Sequence, residues 1–225
     1  MSNGYLPVTA KIKDDPRIDG IISRYRVKLD ARFKEVIGKS KVFLDAERER
    51  IRYEETNLGN FVTDLIREYS GARIALINSG SMRASIDAGP ITLEDVFKTM
   101  PYANEIVAIE LTGAELLQAL TRSVMGTRED EDGGFLHVSG IRFKVRGKAV
   151  EEVTVGKDKK PINPGQIYRV AIPDFLASGG DGYKMFIGKK AEYTGLPLRE
   201  LIADTIRSRK VIESRVEGRI VRVTE

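Results

Sequence analysis

A glycine-rich loop directly after a strand-like segment places the strongest constraint on how this chain can fold. Residues 167–172 predict a strand, and Pro173 ends it because proline has no N–H to donate to a sheet. Three glycines surround Asp181 in the sequence G-G-D-G at 179–182. Since glycine adopts backbone angles that other residues avoid, this loop can bend sharply or approach a ligand closely.

Aromatic side chains flank the same loop. Phe175 precedes the glycines and Tyr183 follows them, with Asp181 between the two rings. A ring that stacks on a flat ligand and a carboxylate that accepts from hydroxyl groups are the chemistry of nucleoside recognition. A tight turn whose rings belong to the core has the same composition, so the loop alone leaves both interpretations open.

The composition describes a globular protein with few ways to bind a metal. The 225 residues are 41% hydrophobic and 31% charged, a balance typical of folded domains. Cysteine is absent, and His137 is the single histidine. Because a dinuclear hydrolytic centre draws on several histidine and aspartate ligands, we expect no metal cofactor in this chain. We expect His137 to be a partly exposed strand residue.

Charge and hydropathy argue against a polyanion or a membrane as the partner. The net charge is +4, and basic residues are interleaved with acidic ones along the chain, so we expect no nucleic acid partner. No apolar run approaches the roughly 20 residues that span a bilayer, so we expect no membrane partner. The first ten residues lack the basic start and apolar core of a signal peptide, and the compartment stays open.

Hydrophobic periodicity predicts an α+β fold with a mixed β-sheet and packed helices. A long amphipathic helix over 14–37 comes first, with Asp14 or Asp15 as its cap and Gly38 at its end; residues 8–13 before it form a short strand or a linker. Further helices are predicted over 57–69, 92–100, 112–120 and 196–209, and strands over 41–44, 74–77, 105–111, 135–145, 150–155, 167–172 and 219–223.

Two arginine-bearing segments are candidates for binding an anion. Arginines recur at every second position from Arg48 to Arg52, so in an extended chain these two would share a face and suit forked contacts with a phosphate. The surrounding glutamates equally allow a solvated charge run. The small-residue loop from Asn78 to Arg83 follows an apolar strand and can present N–H groups and a guanidinium to an anion. It can also be a plain connection.

Six stretches together resemble the C-terminal domain of the 5′-nucleotidase family, which includes UDP-sugar hydrolases and cyclic-nucleotide phosphodiesterases. They occur in the family's order and cover about residues 38–190. The helix before them resembles the family's interdomain linker, so we expect an N-terminal segment with a linker helix over 1–37 and a recognition domain over 38–225. The stretches are L-D-A-E-R-E-R-I-R-Y-E-E-T-N-L-G-N, N-S-G-S-M-R-A-S-I-D-A-G-P-I-T, P-Y-A-N-E-I, E-L-T-G-A-E-L, G-G-F-L-H-V-S-G and D-F-L-A-S-G-G-D-G-Y.

The resemblance implies which residues would bind the nucleoside. The rings of Phe175 and Tyr102 would sandwich the base; the family often has phenylalanine where Tyr102 stands. Asp181 would accept hydrogen bonds from the ribose hydroxyls. Asn104 would lie near the base, and Gly134 would line the pocket.

The resemblance also implies a phosphate end and a further candidate in the loop after the first buried strand. Arg48, Arg52 and Arg83 would lie at the phosphate, and Asn78 is the further candidate. With the two stacking rings assigned, we expect Tyr183 in the core.

The family's catalytic metals are implied to lie outside this chain. In the family, an N-terminal metallophosphoesterase domain holds two divalent metals, and the C-terminal domain selects the nucleotide. This sequence has no D-x-H, G-N-H-E, G-N-H-D or G-H-x-H. We therefore expect part of a hydrolase that is inactive alone, with a nucleoside 5′-phosphate or nucleoside and that N-terminal domain as its partners. The family is mostly extracytoplasmic.

Two other functions stay open at this point. The first is a stand-alone module that binds a nucleotide or a partner without catalysis. The second is an enzyme of the same architecture with a non-nucleotide substrate, as in the sulfur-oxidation relatives. The presence of both Phe175 and Tyr102 argues against this second function, because such a substrate has no base to stack.

Overall fold

The fold combines helices with three β-sheets, in a computed structural model that describes residues 9, 12, 13 and 15–223. The α-helices in these residues are α1 (Pro16–Phe33), α2 (Arg48–Ile51), α3 (Asn57–Ser70), α4 (Leu93–Thr99), α5 (Gly113–Ser123), α6 (Asp174–Ala177) and α7 (Leu198–Arg209). The strands are β1 (Val36–Ser40), β2 (Ile74–Asn78), β3 (Gly89–Thr92), β4 (Glu105–Thr112), β5 (Leu136–Ser139), β6 (Ile141–Arg146), β7 (Ala149–Val155), β8 (Lys160–Pro161), β9 (Ile167–Pro173), β10 (Glu192–Pro197), β11 (Val211–Ile212) and β12 (Ile220–Val223).

Side-chain caps fix the starts of three predicted helices. Thr56 accepts a hydrogen bond from the backbone N–H three residues on, at the start of α3. At the start of α4, Thr92 and Asp95 form a reciprocal capping box, and Thr112 and Glu115 form another at the start of α5. Each box satisfies two backbone N–H groups that a helix leaves unpaired, so these starts are encoded locally.

A mixed five-stranded sheet lies at the centre of the molecule, which confirms the predicted α+β class. Its strand order is β10-β4-β9-β2-β5, with β2 and β9 parallel and the other pairs antiparallel. Ala75 and Ile77 of β2 pack in a core with α3, α4 and α7, whereas Ile74 and Leu76 pack in a second core with α5, β6 and β7. Because both faces are covered, β2 is apolar along almost its whole length.

Two smaller sheets complete the architecture. One has the order β11-β1-β3 and adds to the core beside α7, and the other has the order β12-β6-β7-β8 and covers the α5 face of the central sheet. In the part of the chain that the structure describes, no helix is long and apolar enough to cross a membrane.

The first helix is shorter than predicted, because the chain after it joins a sheet. Helix α1 ends at Phe33, and Val36–Ser40 pairs with β3 and β11. Gly38 does not end a helix: a Cβ there would lie 2.6 Å from Cγ2 of Ile206, so glycine lets β1 pack against α7. At the other end, Asp15 accepts from the N–H of Arg17. Asp14 and half of the predicted segment 8–13 lie outside the described residues.

Three further boundaries differ from the prediction. The expected strand 41–44 is a single bridge between Leu44 and Ile86. The expected strand 135–145 is two strands, since Gly140 between them has φ +79°. The last predicted helix begins at Leu198 because residues 192–197 pair with β4 as strand β10. In each case long-range pairing decides the boundary.

His137 lies in a strand as predicted, but its expected partial exposure is wrong. Its side chain is fully buried, because α3 packs on β5 at this point. A Cβ on Gly59 of α3 would lie 2.0 Å from Nδ1 of the imidazole, so the helix backbone lies directly on the ring. The Nε2 atom lies 2.8 Å from the carbonyl oxygen of Ile51. Burial lowers the pKa of His137 to about 4.

Candidate functional site

One edge of the central sheet brings four connecting segments together. The parallel strands β2 and β9 both end at this edge, after Asn78 and Pro173. Their antiparallel partners begin there, since Asn78 pairs with Leu136 of β5 and Pro173 pairs with Ile106 of β4. The carboxyl edge of such strands is where α/β proteins commonly bind ligands. The topology of the sheet therefore brings the predicted site loops together at one edge, although they are far apart in the sequence.

A cleft of about 310 Å³ opens between these segments, a volume at the lower end of small-molecule sites. Three small residues that were not predicted also line it: Gly80, Ser81 and Gly133. Seven of the nine predicted site residues line it, namely Arg52, Asn78, Arg83, Tyr102, Asn104, Phe175 and Asp181.

Two aromatic rings line the cleft and are open to solvent. Phe175 is 42% exposed and Tyr102 is 49% exposed, although both are large side chains that proteins tend to bury. The Phe175 ring lies against the backbone of Gly180, where a Cβ would be 2.5 Å from the ring carbons. Any larger residue at 180 would displace the ring, so this glycine sets the position of Phe175. Tyr183, by contrast, is fully buried, as predicted.

Asp181 is held in an unusual backbone conformation by polar contacts. Its φ of +52° lies in the left-handed region, which costs energy for a residue other than glycine. The amide Nδ2 of Asn78 donates to its carboxylate Oδ2 at 2.7 Å, and Ser81 Oγ donates to Asn78 Oδ1 at 2.7 Å. Among the described residues, no donor binds the second carboxylate oxygen, Oδ1. Asn78 thus orients the carboxylate, and the Oδ1 atom of Asp181 can still accept a hydrogen bond from a ligand.

Arginines make one part of the cleft electropositive, although the predicted extended run is wrong. Residues Arg48–Ile51 form helix α2 and Arg52 follows as its C-cap, so the two arginines lie about one helical turn apart and both reach Glu131. Arg52 lines the cleft with Arg83, but Arg48 is not among the lining residues. Both Arg48 Nε and Arg52 Nη1 donate to Glu131, to its carboxylate and its carbonyl oxygen respectively. Burial, with the charges of Arg48 and Arg83, lowers the pKa of Arg52.

Gly133, rather than the predicted Gly134, lines the cleft. The Gly133 carbonyl oxygen accepts from the N–H of Gly80 at 2.8 Å, which joins the loop before β5 to the loop after β2. Gly134 lies behind this contact, where its carbonyl oxygen accepts from the Tyr183 hydroxyl. The glycine pair in the sequence indicated a close approach, but it did not indicate which glycine faces the ligand.

A half-buried fork of hydrogen bonds supports the cleft. Arg122 Nη1 and Nη2 donate to the two carboxylate oxygens of Asp132 at 2.6 and 3.3 Å, and Arg122 Nε donates to the Asp181 carbonyl oxygen at 2.9 Å. Burial alone would raise the pKa of Asp132, but hydrogen bonds from Arg122 and from the N–H of Gly134 hold it below its usual value. Sequence reasoning missed this support because the three partners are far apart in the chain.

The described residues offer recognition groups and no metal ligand set. No group of three or more histidine, cysteine, aspartate or glutamate side chains in this part of the chain is placed to hold a metal ion. The cleft combines exposed rings, an oriented carboxylate, amide groups and guanidinium groups. This combination suits a ligand with a flat ring, hydroxyl groups and a negative charge.

Comparisons with known proteins agree with this chemistry. A family described as "5′-nucleotidase, C-terminal domain" matches residues 36–188. The chain is 34% identical over 232 residues to the trifunctional nucleotide phosphoesterase protein YfkN of Bacillus subtilis, covering 97% of the chain and 16% of that protein. It is 31% identical over 175 residues to Protein UshA of Yersinia enterocolitica, covering 78% of the chain and 31% of that protein.

A solved structure shows the same fold in a related protein. The crystal structure of the 5′-nucleotidase precursor from Thermus thermophilus superposes with a TM-score of 0.83 and 34% sequence identity. The match covers 92% of this chain and 43% of that protein. The chain therefore spans less than half the length of each of these three relatives.

Proposed function

Because this chain belongs to the family of 5′-nucleotidase C-terminal domains, we propose that it selects the nucleotide for a metal-dependent phosphoester hydrolase. The observation that carries the proposal is a single cleft lined by two exposed rings, an oriented carboxylate and two arginines. These groups match the base, the ribose and the phosphate of a nucleoside 5′-phosphate. The relatives named as nucleotidases or nucleotide phosphoesterases support the same substrate class.

In the proposed complex, the base stacks between Phe175 and Tyr102 with Asn104 at its edge. Base–aromatic stacking contributes about 1–3 kcal/mol per base and tolerates any base, because every base has a π-face. The free carboxylate oxygen of Asp181 accepts from a ribose hydroxyl, while Asn78 holds the other oxygen in place. Recognition of the nucleoside would thus rest on one flat surface and one oriented acceptor.

The phosphate lies at the arginine end in this proposal. Arg52 and Arg83 contact it directly, since both line the cleft and their guanidinium groups match phosphate oxygens. Arg48 acts on the same end through the shared Glu131, which binds both Arg48 and Arg52. The pKa of Arg52 is lowered by burial and by the nearby positive charges of Arg48 and Arg83. A bound phosphate dianion would reduce the repulsion between these charges.

We further propose that an N-terminal metallophosphoesterase domain joins this chain through residues 1–37. Helix α1 exposes a stripe of large apolar side chains, which is typical of a surface that another protein covers. Its last residue, Phe33, packs edge-on against Phe97 with ring centres 4.9 Å apart and anchors the helix to the recognition domain. A two-metal centre in the partner domain would polarise the phosphate and activate a water. The stripe consists of Ile18, Ile21, Ile22, Tyr25 and Leu29.

Calorimetric titration with AMP and adenosine tests the recognition role. Replacing Phe175 by alanine removes one stacking face, so we expect affinity for both ligands to fall by about fivefold or more. Phe43→Ala is the matched control, because Phe43 is similarly exposed (40%) and lies outside the cleft; it should bind as the unchanged protein does. Equal affinity in the Phe175→Ala variant, or no binding by the unchanged chain, would overturn the proposal.

A further inference from the structure

A second cleft lies at the opposite end of the central sheet. Arg73 precedes β2 and Gly140 follows its antiparallel neighbour β5, so both lie at the end of these strands away from Asn78. At about 3.3 Å per residue, β2 separates the two ends by roughly 13 Å. The cleft between these residues has a volume of about 510 Å³ and shares no lining residue with the cleft proposed for nucleotides.

This second cleft, which we call the basic cleft, carries a surplus of positive charge. Asp64 and Glu217 are its only acidic lining residues in the described chain, which leaves a formal charge of +4. The cationic lining residues are Arg67, Arg73, Arg142, Lys157, Lys159 and Arg219. The net charge of the whole chain is also +4, so this one cleft carries a positive charge as large as that of the entire chain.

The two acids are already used by two of the cations. Arg219 Nη2 lies 2.7 Å from Asp64 Oδ2 and 3.0 Å from Glu217 Oε2, and Arg142 Nη2 lies 3.6 Å from Glu217 Oε2. Arg219 is almost fully buried, so these pairs satisfy a charge that burial would otherwise make costly. They leave no acid in the lining for the other four cations.

Neutral groups hold two of the remaining cations in place. Arg67 Nε donates to Ser139 Oγ at 2.8 Å, and the Arg73 guanidinium carbon lies 5.3 Å from the centre of the Tyr168 ring. Neither guanidinium, and neither Lys157 nor Lys159, forms an ion pair with a described residue. The cations are therefore positioned without being neutralised, which is the arrangement that an anionic ligand requires.

Close backbone packing shapes the floor of the basic cleft. Gly140 has φ +79°, and a Cβ there would lie 2.2 Å from the carbonyl oxygen of Arg73. The N–H of Gly156 donates to the Gly140 carbonyl oxygen at 2.9 Å, which draws the loop carrying Lys157 and Lys159 over the sheet end. Arg67 from α3, Arg73 from the turn before β2 and the two lysines of this loop thus converge on one cleft.

We propose that the basic cleft binds a small polyphosphate anion, of the class of inorganic pyrophosphate. Two planar guanidinium groups and two ammonium groups supply several positive charges and many N–H donors, which suits a small anion with several charged phosphate oxygens. The concave shape favours a small molecule over a nucleic acid strand, since a strand follows an extended basic stripe. This site is separate from the proposed nucleotide cleft and does not depend on the function assigned there.

Titration of the full chain with inorganic pyrophosphate, followed by calorimetry, tests the site. In the double variant Lys157→Gln/Lys159→Gln, we expect binding to weaken by about tenfold, because two charged contacts are lost. Both lysines are exposed, so their replacement leaves the core intact. The control Lys39→Gln/Lys148→Gln removes the same charge from exposed positions outside the cleft and should bind as the unchanged protein does.

Orthophosphate and a nucleotide-cleft variant complete the experiment. Orthophosphate should bind at least several-fold more weakly than pyrophosphate, since it cannot reach all four cations at once. In an Arg83→Gln background, which weakens any phosphate binding in the other cleft, Lys157→Gln/Lys159→Gln should still bind pyrophosphate more weakly than the control double variant. The proposal is overturned if the unchanged chain does not bind pyrophosphate, if orthophosphate binds as tightly, or if the two double variants bind alike in either background.

Discussion

At the scale of single residues, His137 shows how a polar side chain can be structural. Its ring fills the space that Gly59 leaves open in α3, and its Nε2 meets the Ile51 carbonyl. Within the described residues its Nδ1 has no hydrogen-bond partner, so the fold accepts a neutral imidazole and disfavours the charged form. The single histidine therefore contributes to stability in a way that depends on pH.

We expect the free energy of unfolding to fall by about 2 kcal/mol between pH 7 and pH 5 because of His137. Its folded pKa of about 4 lies below the ordinary value of 6.5, so the unfolded chain binds more protons throughout this interval. Stability from this group is thus present above pH 6.5 and is lost as the pH falls towards 4. Urea unfolding at several pH values measures the effect.

A variant without the imidazole gives the control for this pH dependence. His137→Leu is expected to unfold at lower urea concentration at pH 7, yet to lose little further stability between pH 7 and pH 5. Carboxylates titrate mainly below this interval and contribute little to it. If the variant and the unchanged protein lose the same stability from pH 7 to pH 5, the histidine is not the cause.

At the scale of elements, the loop over residues 126–134 contacts the arginines of the proposed phosphate end. Glu131 in this loop accepts from Arg48 and Arg52 at once, and Arg128 in the same loop pairs with Glu54. Of these two arginines the carboxylate binds Arg48, since Arg52 donates to the backbone carbonyl oxygen, but its negative charge offsets part of the positive charge that would attract a phosphate. The loop thus acts as an internal anion at the edge of the cleft.

Glu131→Gln is expected to raise the affinity for AMP by about two- to fivefold, within the range of exposed ion pairs. Affinity for adenosine should not change, because adenosine has no phosphate for the increased positive charge to attract. Glu54→Gln is the matched control: it breaks the ion pair between Glu54 and Arg128 of the same loop, neither of which lines the cleft, and should affect neither ligand. Equal gains for AMP and adenosine would contradict the role of Glu131. Calorimetric titration measures both.

The elements also show which parts of the fold could be predicted from the sequence and which could not. Helices with local caps, such as those starting at Thr92 and Thr112, were predicted with the right starts because the signal lies within four residues. The first two residues of the strand Val36–Ser40 were assigned to the preceding helix because the pairing partners of the strand are remote, and α2 was interpreted as extended chain. Tertiary pairing overrides local periodicity in such segments.

The candidate site also contains residues that the sequence could predict and residues that it could not. Loops rich in glycine and small residues marked where a ligand can approach, and seven residues selected from the sequence line one cleft. The support under the cleft, in which Arg122 joins Asp132 to Asp181, could not be predicted because no local pattern relates positions 59 residues apart. The binding roles of these residues stay predictions until titrations such as those above are made.

At the scale of the whole molecule, recognition and hydrolysis are proposed to belong to different domains. We therefore expect the chain alone to release no phosphate from AMP above background when Mn²⁺ is supplied, and a colorimetric phosphate assay measures this. Asp181→Ala, purified separately, is the control. Activity that survives the substitution comes from a contaminating phosphatase, whereas activity that the substitution abolishes would show that this chain is itself catalytic.

The hydrogen bond between Asn78 and Asp181 joins residues 103 positions apart in the chain. During synthesis, Asn78 is made well before Asp181, and nearly half of this chain is added between them. Contacts between residues so far apart in sequence form slowly. A nucleotide would then bind only after both sides of the cleft have folded together. A ligand that binds only the finished cleft also stabilises the native state by mass action, so the available nucleotide would help to keep newly made chains folded.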